Sequence, residues 1–300
     1  MIPPGPGHWS FAASLTSAKF NIEHIADDEP ENPVPYWHIQ SLLVSELGFT
    51  VSRGLWKGGA VDLDVPLRSV RSRVHYEDLD REPFVPNEPE NHHRNETLFG
   101  IADPLVALHL AHEGETWIFS TRLGVSIPLG RTEPNPLELG REGLRHQHIQ
   151  FGTGTFYPVL GASVGRPFGE YDVHLTGVAR LPLSENEHGY QAGQRYGALL
   201  SAGRGLWTKW QATTEFGYLH ERAETWDGVV EEEGNLGRSD LLMSLGLGYE
   251  LPAGILSFNV SFPLWSESTG EQVDIPLVLA LSWEYSAVGA PAPSAEPAPR

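Results

Sequence analysis

The chain has 300 residues and no Cys, with 39 acidic against 20 basic residues and a formal net charge of −19. An apolar content of 40% with nine Trp is too high for a solvated coil, 32 Gly and 24 Pro do not suit a helical bundle, and the acidic balance argues against nucleic acid as a partner. The lack of Cys excludes disulfide scaffolds, Cys-type zinc sites and thiol catalysis, and no apolar run reaches the ~18 residues of a membrane-spanning helix.

In chain order the sequence is a series of segments that alternate apolar and polar residues, the period of a β-strand. Weak strands are expected near 9–21 and 36–51. Val61, Leu63, Val65 and Leu67 then oppose Asp62, Asp64 and Arg68. A strand over 105–112 precedes the clearest alternation, 117–129, where Trp117, Phe119, Leu123 and Val125 oppose Ser120, Arg122 and Ser126. A weak strand near 148–164 is followed by Val173, Leu175, Ala179 and Leu181 against Asp172, His174 and Arg180. Further strands fall near 190–202, 210–218, 241–249, 256–264 and 273–285, which makes twelve.

A soluble sandwich or lipocalin also alternates, but its strands are usually about 5–6 residues. These are about twice as long, the length of a bilayer-spanning strand. Their polar face is rich in Gly, Ser and charge, and Trp and Tyr gather at strand ends such as Trp117, Trp210, Tyr218, Tyr249, Trp265 and Trp283. The expected fold is therefore an all-β, up-and-down antiparallel transmembrane barrel with aromatic girdles, short periplasmic turns and long acidic external loops. The six long connections hold 24 acidic and eight basic residues, the five short ones three and four. Residues 1–8 read as an N-terminal extension, 9–285 as the barrel and 286–300 as a disordered Pro/Ala-rich tail. The start lacks the basic and apolar regions of a secretion signal, so a leader is expected to have been removed.

Three short segments go further. They are Gly100-Ile101-Ala102-Asp103-Pro104, the stretch from Gly124 to Arg131, and Phe151-Gly152-Thr153-Gly154-Thr155. In order and spacing the chain resembles outer-membrane barrel proteins of the MetA-pathway of phenol degradation family, over roughly residues 36–285. It departs from the family pattern at Ala102 and Leu129. The resemblance implies an outer-membrane barrel of a Gram-negative bacterium that passes small hydrophobic or aromatic compounds, and it implies no catalytic residues.

On the barrel reading, Asp62, Asp64, Arg68, Arg122, Asp172, His174, Arg180, Arg195, Lys209 and Glu215 face the lumen. They line a polar path for a solute, or they form a salt-bridge network that fills a narrow barrel. Tyr36, Trp37 and Phe151, near strand starts, are further candidates. His92, His93, His146 and His148 are weak metal candidates without diagnostic spacing. The acidic runs Asp27-Asp28-Glu29 and Glu231-Glu232-Glu233 suit solvated loops, or divalent cations bridging to lipopolysaccharide. No Ser–His pairing can be inferred from the sequence, so no hydrolase is expected. The expected function is passive passage or uptake of small hydrophobic or aromatic solutes without a cofactor. The alternative is a plugged barrel whose loops bind divalent ions, lipopolysaccharide or a partner.

Overall fold

A computed structural model describes residues 2–26, 34–86, 94–232, 234–269 and 272–286. Twelve antiparallel strands form a closed barrel. They are β1 (Trp9–Ala26), β2 (Tyr36–Trp56), β3 (Gly59–Glu77), β4 (Glu96–Ile101 and Leu105–Glu113), β5 (Ile118–Ser126) and β6 (Tyr157–Phe168). Then come β7 (Tyr171–Arg180), β8 (Arg195–Trp207), β9 (Trp210–Arg222), β10 (Gly237–Leu251), β11 (Gly254–Ser268) and β12 (Gln272–Asp274 and Val278–Ser286). Each strand pairs with the next, and β12 returns to β1, which also pairs with β2. No sheet edge is left along that circuit, which is what a β-structure in lipid needs to satisfy its backbone.

Residues opposite one another on neighbouring strands share a face. Asp62 stands opposite Ser52 and Ala107, Arg122 opposite His109 and Gly161, and Arg180 opposite Val159 and Arg195. This small and polar face points into the barrel. The other face carries rows such as Leu15, Leu47, Leu67 and Ile101. Its Leu, Phe and Val side chains stand exposed around the wall, among them Phe49, Leu123, Leu175, Phe216 and Phe258. An apolar belt of that extent suits lipid and not water.

The turns are tighter than the sequence suggests. β2 runs on to Trp56, leaving Lys57 and Gly58 as its turn, and β6 meets β7 across Gly169 and Glu170. Segment 148–156 is no strand. Its Gly-rich chain folds inward. β5 stops at Ser126, short of the expected 129. At the long-loop end, helix α1 (Pro136–Arg141) and the ribbon pairing Tyr190–Gln191 with Thr225–Trp226 make a cap. Its small core is Leu137, Tyr190 and Trp226, with Ala192 packed against it.

Candidate functional site

A charged network lines the lumen toward the turn end. Asp62 is 2% exposed, and its Oδ2 lies 2.9 Å from Nε of Arg122 and 3.5 Å from Nδ1 of His109. Arg122 Nη2 reaches Asp64 at 3.0 Å. The N-terminal segment lies in the same mouth. Pro3 and Pro4 are buried, and the Gly7 N–H donates to the Gly54 carbonyl at 2.9 Å. The inner face of Gly54 is covered so closely that a Cβ there would meet the Gly5 carbonyl oxygen at 2.1 Å.

Above this lies a cavity of about 200 Å³, bounded by Glu46 and Thr50 of β2, Asp64 and Arg68 of β3, and Val159, Arg180 and Arg195 on the far wall. Phe151, 3% exposed, forms part of its lining and rests on Gly100, whose added Cβ would lie 3.2 Å from the ring. Asp103 places that ring. Its Oδ1 accepts the Gly130 N–H at 2.9 Å, and its Oδ2 accepts the Thr153 N–H at 2.7 Å and the Thr153 hydroxyl at 3.0 Å. Thus one carboxylate ties together the three segments singled out in the sequence. The chains meet backbone to backbone there: a Cβ on Gly130 would come within 2.6 Å of Gly152.

Beside Asp103 the wall is incomplete. β3 advances from Asp64 to Leu67 while β4 advances from Leu105 back to Ile101, so β4 carries one extra residue. The inner segment Leu105–Glu113 pairs with both β3 and β5, whereas Glu96–Ile101 pairs with β3 alone. The far edge of Glu96–Ile101 meets a loop. There the Arg94 guanidinium donates to the His146 carbonyl at 3.0 Å, and the Gln147 amide donates to Glu96 Oε1 at 2.6 Å. Side chains span this gap where a ladder spans the rest.

In the cap, the Tyr190 and Trp226 ring centroids are 4.8 Å apart. Burial pushes the Tyr190 phenol up, and burial also raises the Glu224 carboxyl above its ordinary value, partly offset by the Asn235 N–H and the Trp226 indole.

Of the residues expected in the lumen, Asp62, Asp64, Arg68, Arg122, Asp172, His174, Arg180, Arg195 and Glu215 all fall on the inward register. Lys209 does not. It sits in the two-residue turn between β8 and β9, where its carbonyl accepts the Glu250 N–H, because β8 continues to Trp207. Arg68 pairs with Glu46 at 2.7 Å and Arg195 with Glu221 at 2.9 Å. The His174 ring lies over Gly165. Tyr36 is buried against Phe84, while Trp37 lies on the outer register under the Arg81 guanidinium, 4.0 Å from its ring centroid. His146 and His148 meet edge to face at 5.1 Å. His92, His93, Asp27-Asp28-Glu29 and Glu233 lie outside the described residues, among which no three His, Asp or Glu are grouped to hold a metal ion. Asp103 was missed as a site residue. The signal was the Asp-Pro inside one of the three quoted segments.

No curated protein matches the chain. Among solved structures, it overlays the COG4313 outer membrane channel from Pseudomonas putida F1 with a TM-score of 0.63 at 12% identity, over 95% of this chain and 98% of that one. A looser likeness, TM-score 0.48 at 9% identity over 94% and 91% of the two chains, is to the TodX deltaS2S3 mutant monoaromatic hydrocarbon channel. The fold is that of an outer-membrane β-barrel. The family model described as "Putative MetA-pathway of phenol degradation" matches residues 51–273, about three-quarters of the chain and all three segments joined at Asp103, and the chain belongs to that family.

Proposed function

We propose that the protein sits in the outer membrane of a Gram-negative bacterium and lets small hydrophobic or aromatic solutes through passively, leaving them chemically unchanged. The observation that carries the reading is a capped cavity beside an unladdered stretch of wall. A polar solute needs a continuous wet path, and the Asp62–Arg122–Asp64 network and the buried Pro3 and Pro4 take up room on it. An apolar solute has another exit, sideways past Glu96–Ile101 into lipid. The family and the channel fold support the same reading. Side chains and chain packed into the lumen are also what the alternative, a plugged binding barrel, requires. The wall gap beside the cavity favours passage.

Lipopolysaccharide is the proposed lipid partner. Lys19 and Arg71 share the outward register with Leu43 between them, and Arg73 follows on the same face of β3. All three are exposed, and no ion pair holds them among the described residues. Cations on the outer wall toward the long-loop end suit glycolipid phosphates directly, besides any divalent cations held by acidic loops. The test of transport is entry of toluene into liposomes whose outer leaflet is lipopolysaccharide. The protein is expected to speed entry over protein-free liposomes. Equal rates would leave the binding barrel as the reading.

A further inference from the structure

Three arginines, Arg68, Arg180 and Arg195, line the cavity together with Glu46, Asp64 and Asp103. Arg68 is held by Glu46 and Arg195 by Glu221, while Asp64 is taken by Arg122 outside the cavity and Asp103 by the Gly130 and Thr153 N–H groups. Arg180 lines the same cavity, directly opposite Arg195 in the strand register, and no acidic side chain pairs with it among the described residues. The two arginines stand opposite one another on neighbouring strands whose backbones are ~5 Å apart, and an anion beside Arg180 would supply the counter-charge that Glu221 supplies to Arg195. Apolar surface in the same cavity comes from Phe151, Leu105 and Val159, the last beside Arg180 in the strand register.

We propose that this cavity is a binding site for a small carboxylic acid with an apolar body, an aryl or short alkyl carboxylate. Its oxygens pair with the Arg180 guanidinium and its ring or chain lies against Phe151. The planar fork of Arg fits a carboxylate with two parallel N–H donors. The volume, about 200 Å³, is below the ~300–1,000 Å³ of pockets for drug-sized ligands, which sets the ligand at roughly one ring. The inference rests on the transport reading and narrows it: the barrel would select acids among the apolar solutes it meets.

Calorimetric titration of the full chain in detergent micelles tests this, with benzoate, neutral benzyl alcohol and inorganic phosphate as probes. Benzoate is expected to bind about tenfold tighter than benzyl alcohol, the worth of one charge-assisted pair. R180Q should abolish that preference while leaving benzyl alcohol unchanged, and R180K should keep part of it. The proposal is overturned if benzoate binds no tighter than benzyl alcohol, if neither binds, or if R180Q leaves the preference intact. Phosphate binding as tightly as benzoate would overturn the requirement for an apolar body. Entry of benzyl alcohol into proteoliposomes is read separately. Entry without a preference for benzoate sinks the acid site alone, and an Arg180-dependent preference without entry sinks the transport reading alone.

Discussion

Asp103 shows how much one carboxylate organises here. Three donors converge on it from two stretches of chain that have no strand to hold them. D103A leaves those donors without a charged acceptor and is expected to cost about 1–3 kcal/mol locally. Hydrogen exchange should show faster amide exchange at 130 and 151–153 with the barrel strands unchanged. G152A acts on the same joint by sterics, since its Cβ would meet Asp103 Oδ1 at 2.3 Å and the Gly130 carbonyl at 2.7 Å. At the turn end, R122A strands the buried Asp62 charge and should lower stability by about 3 kcal/mol, with the added D62N restoring much of the loss. Denaturant titration of the refolded barrel reads both variants. The inward placement of Asp62, Arg122 and Arg180 was legible, because a period of two fixes the face once one residue is assigned. Which charges pair was not legible, since partners such as Asp62 and Arg122 lie 60 residues apart in sequence.

Among the elements, the long regular strands were readable and the irregular ones were not. Pro66, Pro263 and Pro276 lie at irregular places in the wall. In the fold they mark places where the ladder is disturbed: Pro66 faces the extra residue of β4, Pro263 immediately precedes the register shift in β11, and Pro276 lies in the break of β12. Proline lacks an N–H and is tolerated where the ladder is already interrupted. The inward fold of 148–156 was missed because its conformation is set by contact with Gly130 and Asp103 and not by its own alternation. The cap is an element with a testable core. L137A removes a buried side chain that packs with Tyr190 and Trp226 and should cost about 2–5 kcal/mol of cap stability. The cap should also respond to pH. Glu224 has a pKa raised above its ordinary 4.5, chiefly by burial, so the folded cap binds its proton more tightly than the open chain does. That contribution is full below the ordinary value and is lost as pH climbs through the raised one. Exchange at 225–226 is expected to speed up over that rise beyond the intrinsic rate, and E224Q should remove the excess.

For the whole molecule, the composition takes on a different meaning. A net charge of −19 and a low mean hydropathy of −0.26 describe a chain that looks soluble. Alternation hides the apolar half, which the closed barrel displays all round its outer wall. The folded chain is therefore expected to stay in detergent or lipid and to migrate differently on gels before and after boiling. Identical migration would contradict a closed barrel. The central claim is that solute leaves sideways through the wall beside β4, and the missing Cys make it directly testable. With E96C and Q147C as the only thiols, a short bifunctional thiol reagent can bridge the loop to the exposed edge of β4, where the native side chains already touch. Toluene entry into lipopolysaccharide-coated liposomes is then compared with and without the bridge. The account predicts that bridging abolishes the protein-dependent entry and that leaving the thiols unbridged preserves it. Unchanged entry through the bridged barrel would contradict it.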